Sequence, residues 1–215
     1  LIHHAAYGLP PEALDVIIIE DSKPMLLLLR SIVASLQPSR IRVFESAEDA
    51  VTAMLAEPPN LIITDWRMKP ISGFQLLRTM RSRRMAPLCF VPVIMVTAYG
   101  TRALVDKAIE AGAQQVLVKP LSPAMLVERI RYMLKDARRF VLGQGDSYVV
   151  EGVAEQLAAQ HGRSAILRQA RAFVAGKAAR PAGVEPAAEA GKAPAFPPAK
   201  KPVGQRRPRF AAVSR

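Results

Sequence analysis

Cysteine is almost missing from this 215-residue chain: Cys89, in the stretch Leu88-Cys89-Phe90-Val91, is the single one. One cysteine excludes an internal disulfide framework and fits a reducing compartment. Among apolar neighbours it reads as a small buried hydrophobe rather than a reactive thiol. Aromatics are scarce at 6%, so aliphatic side chains must build the core. No apolar run approaches the ~18 residues of a membrane-spanning helix. No basic segment leads into a long apolar one, so no signal peptide is visible. The expectation is a cytoplasmic protein with no membrane partner. The chain opens on Leu1 rather than Met, which reads as a truncation or an alternative start, and His3-His4 read as an added scar with no metal role. Acids are short in the last third. Residues 138–215 hold 14 Lys and Arg against 5 Asp and Glu, while residues 1–137 hold 16 against 13, so +9 of the +12 net charge lies beyond residue 137.

What is present is a regular alternation. Val16-Ile17-Ile18-Ile19 is a β-branched run ending in Glu20-Asp21-Ser22, and Pro24 suits the first turn of a following helix. Arg40-Ile41-Arg42-Val43-Phe44 alternates polar and apolar residues, the pattern of an exposed, edge-like strand. Ser46 followed by Glu48 and Asp49 starts the next helix with an N-cap and first-turn acids. Leu61-Ile62-Ile63-Thr64-Asp65 is an apolar run ended by turn residues, as expected of a buried parallel strand. Phe74, Leu76, Leu77 and Met80 mark a third helix, whose arginines Arg78, Arg81, Arg83 and Arg84 are expected on a solvated face. Val91–Thr97 is a fourth strand. Leu104, Ala108 and Ala111 mark a helix closed by Gly112 as C-cap. Val116-Leu117-Val118 is a short fifth strand, and Ser122-Pro123 caps a helix carried by Leu126, Ile130 and Met133. Five strand–helix alternations in about 120 residues predict right-handed crossovers and a parallel sheet covered on both faces.

The carboxyl ends of parallel strands are neighbours in space, and ligands bind there. Those ends carry Glu20 and Asp21, Asp65, Thr97 and Lys119. Each has an ordinary reading: helix caps for the acids, a strand-end hydroxyl for Thr97, a loop for Lys119-Pro120. All four at once are better explained by chemistry. Carboxylates crowded together repel unless a hard divalent cation such as Mg²⁺ neutralises them. The remaining carboxylate can act as a nucleophile and form an aspartyl-phosphate. Lys119 supplies a compact positive charge for phosphoryl oxygens, and Thr97 a hydroxyl.

Glu20-Asp21, Asp65, Gly73, Thr97-Ala98, Ala111-Gly112-Ala113 and Lys119-Pro120, at these intervals, resemble the receiver domain of two-component response regulators. The resemblance covers residues 14–137. It implies a flavodoxin-like (βα)5 three-layer sandwich with strand order 2-1-3-4-5. It also implies that Asp65 accepts a phosphoryl group from a histidine kinase or histidine phosphotransfer protein. Mg²⁺ would be held by Asp21, Asp65 and the backbone carbonyl of Arg67, with Glu20 acting through water. Lys119 and Thr97 would contact the phosphoryl group, Thr97 moving as the switch, and Lys119-Pro120 would carry a cis peptide. Signalling by phosphorylation-dependent protein contacts, including homodimerisation, would follow. The chain would be a phosphoryl acceptor and not a turnover enzyme.

Three positions depart from the family pattern. Val116 stands where receivers carry an aromatic switch residue, and Tyr99 is the candidate substitute. Arg67, two residues after Asp65, is expected with Tyr99 to shield a phosphoaspartate and set its lifetime. The segment Arg83–Val91 is long for its place.

Beyond Asp136, residues 138–177 read as a linker, its Phe140–Tyr148 part containing Gly143 and Gly145. The linker has room for an amphipathic helix carried by Val153, Leu157, Ala158, Ile166 and Leu167, interrupted at Gly162. Residues 178–215 are rich in Ala, Pro, Lys and Arg, with Phe196 and Phe210 isolated, and are expected to be disordered. The clusters Lys200-Lys201 and Arg206-Arg207-Pro208-Arg209 give an alternative function, a receiver-gated nucleic-acid-binding regulator.

Overall fold

The computed structural model describes residues 2–143, 145–153, 155–159 and 171. The described elements run β1 (Ile2–His3), β2 (Asp15–Ile19), α1 (Lys23–Ala34), β3 (Arg40–Phe44), α2 (Ala47–Ala56), β4 (Leu61–Asp65), α3 (Gly73–Met80), β5 (Val93–Thr97), α4 (Arg102–Glu110), β6 (Gln115–Val118), α5 (Pro123–Leu134), β7 (Arg139–Leu142) and β8 (Tyr148–Val150). Five strands form a parallel sheet in the order β3-β2-β4-β5-β6. Counted within the sheet alone this is the expected 2-1-3-4-5.

The period of two along each strand divides the core. Val16 and Ile18, Leu61 and Ile63, and Ile94 and Val96 face α1 and α5, where Leu29, Val33, Leu126 and Ile130 meet them. Ile17 and Ile19, Ile62, and Val93 and Met95 face the other way, against Ala50 and Met54 of α2, Leu76 and Leu77 of α3 and Ala108 of α4. Each fully buried aliphatic side chain contributes about 1.5–3 kcal/mol. Two helical layers on one sheet therefore give a three-layer α/β fold. β3 is an edge strand, as its alternation implies, and its polar positions are occupied. Arg42 binds Asp15 through Nε (3.1 Å) and a second guanidinium nitrogen (2.8 Å). Arg40 bridges Asp15 and Glu57.

Helix starts follow local chemistry. Ser46 Oγ accepts from the Asp49 amide, Thr101 Oγ1 from Leu104 and Ser122 Oγ from Met125. Ser72 and Gln75 form a reciprocal capping box at the start of α3. Gly112 follows α4 at φ +94°, the left-handed C-cap conformation that costs glycine least.

Four expectations need correction. First, the stretch expected as a linker is a β-hairpin: Phe140 pairs with Val150 and Leu142 with Tyr148, and β1 adds a third antiparallel strand through Ile2↔Phe140. Gly145 (φ +72°) and Asp146 (φ +59°) are its turn. Phe140, Val150, Val153 and Leu157 form a small core against Phe90 and Ile109. Those covering residues lie elsewhere in the chain, so the two short strands, divided by Gly143 and Gly145, read alone as a linker. Second, His3 and His4 belong to the fold. His3 stacks on Tyr7 at 4.3 Å, His4 is buried, and the Ala5 amide donates to the Phe90 carbonyl at 2.9 Å. Third, Arg81 is not on a solvated face. It is 1% exposed, with its guanidinium bonded to the carbonyls of Cys89, Val91 and Gly112 and to Gln114 Oε1. Fourth, the long segment Arg83–Val91 is built from two short 3-10 turns, Arg83–Met85 and Leu88–Phe90, the second of which brings the Cys89 and Val91 carbonyls to Arg81. Of the amphipathic helix, residues 153 and 155–159 are described as helical. Gly162, Ile166, Leu167 and the segment 178–215 lie outside the described residues.

Candidate functional site

Parallel register delivers the polar residues to one edge. Asp65 is the last residue of β4 and pairs with Val96, while Thr97 ends β5 and pairs with Val118. Glu20 follows β2, its amide held by the Phe44 carbonyl at 3.1 Å. Lys119 follows β6, its amide donating to the Thr97 carbonyl at 2.8 Å. Ile19 and Thr64 are register partners, so Glu20 and Asp65 leave the sheet side by side.

Lys119 joins the two acids. Its ammonium donates to Asp65 Oδ1 at 2.7 Å and to Glu20 Oε2 at 2.8 Å. Asp65 Oδ2 accepts the Arg67 amide at 2.5 Å. Glu20 and Asp65 are buried. Burial pushes the Glu20 carboxyl above its ordinary range, against the pull of Lys119. Burial opposes charge on Lys119 too, yet its hydrogen bonds to Asp65 and Glu20 prevail and its pKa is raised. The ammonium is thus firmly held as the counter-charge of the site.

The same cleft, about 230 Å³ in volume, is also lined by Asp21, Arg67, Thr97, Ala98 and Tyr99. All the predicted site residues except Val116 therefore meet there. Thr97 faces its own loop: its Oγ1 accepts the Tyr99 amide at 3.0 Å. The Arg67 guanidinium lies 4.3 Å from the centre of the Tyr99 ring, within cation–π range. Val116 is partly buried among the residues under α2, α3 and α4 and pairs with Met95, while Tyr99 lines the cleft that Thr97 also lines. Lys119-Pro120 is cis, as are Lys69-Pro70 and Ala86-Pro87.

Gly73 contributes by having no side chain. A Cβ there would stand 2.0 Å from the Asp65 carbonyl oxygen and 2.7 Å from Thr64 Oγ1. The start of α3 is therefore pressed onto the strand end that carries Asp65.

Among the described residues, no three His, Cys, Asp or Glu side chains are gathered into a ready-made metal cage. The donor set still suits a hard divalent ion. Three carboxylates, Glu20, Asp21 and Asp65, share the cleft with Lys119 as the ammonium between two of them, which leaves negative charge to neutralise. Mg²⁺ takes one or two carboxylates and keeps several waters, so it needs no closed cage.

The sequence profile of the response regulator receiver domain matches residues 16–131. A chemotaxis protein CheY homolog of Campylobacter jejuni is 29% identical over 143 residues, covering 66% of this chain and all of that protein. The phosphate regulon transcriptional regulatory protein PhoB of Rhizobium meliloti is 29% identical over 125 residues, 58% of this chain and 54% of that protein. Among solved structures, a response regulator from Chloroflexus aurantiacus superposes with a TM-score of 0.53 at 25% identity, covering 57% of this chain and 98% of its own. A BeF3-activated DrrB receiver domain shares the fold with a TM-score of 0.50 at 24% identity, covering 57% and 98%. With the fold, the strand order and more than half of the chain matched, this protein belongs to the response regulator receiver domain family of two-component systems.

Proposed function

We propose that Asp65 is the phosphoacceptor of this receiver domain, taking its phosphoryl group from the phosphohistidine of a histidine kinase or a histidine phosphotransfer protein. The observation that carries this reading is the convergence of Lys119 on Asp65 (2.7 Å) and Glu20 (2.8 Å) at the carboxyl edge of the sheet. A carboxylate oxygen of Asp65 forms the new bond to phosphorus. The phosphorus–nitrogen bond of the donor breaks, and its electron pair stays with the imidazole, which then takes up a proton. Little covalent chemistry is asked of the protein beyond the acceptor itself, so positioning and charge compensation dominate. Lys119 lies beside Asp65 before transfer and remains to neutralise a phosphoryl oxygen.

Asp21, Asp65 and the Arg67 carbonyl would hold Mg²⁺, with Glu20 acting through water, and the ion would supply further positive charge for the transferred group. Thr97, whose hydroxyl serves the Tyr99 backbone here, turns to donate to the phosphoryl group. That turn is the switch read by partner proteins or a second copy of the chain. The chain is an acceptor that loses its phosphoryl group to water, not a turnover enzyme.

Trp66, the single tryptophan, follows Asp65 and stacks on Phe74 at 4.7 Å, so its fluorescence reports on the site. Acetyl phosphate or beryllofluoride with Mg²⁺ should change that fluorescence in the wild type and leave Asp65→Asn unchanged. A Mg²⁺-dependent response that survives the substitution would remove Asp65 from its role.

A second reading, a receiver that gates nucleic-acid binding, rests on the charge of residues 138–215, 14 Lys and Arg against 5 Asp and Glu. Binding of random-sequence duplex DNA that weakens steeply with salt would support it. The absence of binding at low salt would end it.

A further inference from the structure

A groove of about 380 Å³ lies between α3, α4 and β8. It borders the C-terminal half of α4, whereas Thr101 and Tyr99 precede the N-terminal end of that helix, so it is separate from the phosphoacceptor cleft. It exists because the hairpin supplies its third wall through Tyr148 and Val149. The other walls carry Phe74 and Arg78 from α3 and Lys107 and Glu110 from α4.

The charge of this groove is unbalanced. Arg78 and Lys107 are exposed and form no ion pair among the described residues. The Lys107 ammonium sits 4.7 Å above the Phe74 ring. Behind them is Arg81, whose four partner groups, the carbonyls of Cys89, Val91 and Gly112 and the amide oxygen of Gln114, are all neutral. The Phe140 ring lies 4.7 Å from its guanidinium carbon. Burial lowers the Arg81 pKa to about 9, which still leaves it cationic at neutral pH. Two exposed cations, Arg78 and Lys107, thus stand against one acid, Glu110, and the buried charge of Arg81 behind low-dielectric walls adds its field to the groove. Beside the cations lie the apolar surfaces of Phe74, Tyr148 and Val149.

We propose that this groove docks an acidic peptide segment of a partner protein, one in which carboxylate side chains flank an apolar or aromatic residue. The carboxylates meet Arg78 and Lys107 in the field of Arg81, and the apolar side chain packs between Phe74 and Val149. The mixture of charge and apolar surface favours peptide over nucleic acid. Two exposed cations release few counterions from a phosphate backbone, and Glu110 at the same groove repels one. Electrostatic complementarity of this kind sets specificity and association rate. The proposal does not depend on Asp65 being phosphorylated.

The test uses the isotopically labelled full chain. The probe is the synthetic peptide Asp-Glu-Phe-Asp-Glu-Leu, with Asn-Gln-Phe-Asn-Gln-Leu as its uncharged control. The acidic peptide should give saturable amide shifts centred on Lys107, Glu110, Tyr148 and Val149, and the control none. The double variant Arg78→Glu, Lys107→Glu should bind about tenfold or more weakly, with the thermal melt retained because both side chains are exposed. Val149→Asp, which places a carboxylate on the apolar wall, should weaken binding as well. Equal binding of the control peptide, full binding by the charge-reversed variant, shifts centred elsewhere, or displacement of the peptide by duplex DNA would each overturn the proposal.

Discussion

Arg67 and Tyr99 line the cleft together with Asp65 and Lys119. Tyr99 is half exposed, and its ring and the Arg67 guanidinium hold one another at 4.3 Å over a wall shared with Asp65 and Lys119. Such a pair contributes about 0.5–1 kcal/mol at an exposed site, and since both side chains line the cleft of Asp65 the pair is expected to slow an attacking water. Alanine at both positions should speed the loss of the phosphoryl group several-fold without preventing its acceptance. The decay of the Trp66 signal after acetyl phosphate is removed would measure this, and an unchanged rate would take the pair out of lifetime control. A second single-residue effect concerns His4. Burial lowers its imidazole pKa below the ordinary 6.5, with Asp136 pulling the other way and His3 adding to the fall. A pKa lower in the folded than in the unfolded chain means that protonation favours unfolding. This stability is therefore present above 6.5 and is lost as pH falls from there through the folded value. Urea midpoints measured between about pH 7 and about pH 5 should fall more in the wild type than in His4→Gln. Asp136, whose carboxylate is lowered through Arg138 against its own burial, acts in a more acidic range.

At the scale of elements, α3 is fixed at its start against β4. Its start touches the end of β4 so closely that Gly73→Ala would bring a methyl group to 2.0 Å from a backbone oxygen of Asp65. Backbone cannot rotate away as a side chain can, so helix and strand must part. Gly73→Ala should cost roughly 1–3 kcal/mol in urea unfolding and should slow phosphoryl acceptance, because the displaced oxygen belongs to Asp65 itself. The five core strands and their helices were legible in the sequence because each carries its own period and ends in residues that stop it. The cleft was legible because parallel strands deliver their ends to one edge, whatever their separation along the chain. Arg81 was not legible as a buried group, since charge and helix position both suggested solvent. The missed signal is its spacing of four from Leu77, which places it on the buried stripe of α3. Nor was the hairpin legible. Its strands are only four and three residues long, and the surface that covers them comes from Phe90 and Ile109, which no local pattern announces.

Within its first unit, residues 1–169, the receiver is covered at one end by its flanking segments. Phe140, Val150, Val153 and Leu157 pack against Phe90 and Ile109, and the Tyr148 amide donates to the Arg81 carbonyl at 2.7 Å. A chain ending at Ala137 should therefore lose on the order of 5 kcal/mol from lost apolar burial, while one ending at Arg171 should keep its urea midpoint. The comparison also shows where a test of the basic tail must be cut: beyond the hairpin, not within β7. The pairing of β1 with β7 has a further consequence during synthesis. Ile2 meets Phe140, so β1 must wait for a partner strand that is made much later along the chain. The parallel sheet and the cleft at its carboxyl edge have all their strands by Val118 and can assemble while β1 still lacks a partner. The emerging chain thus acquires its cleft before this closure, and β1 stays open to chaperones and proteases until the hairpin has been made.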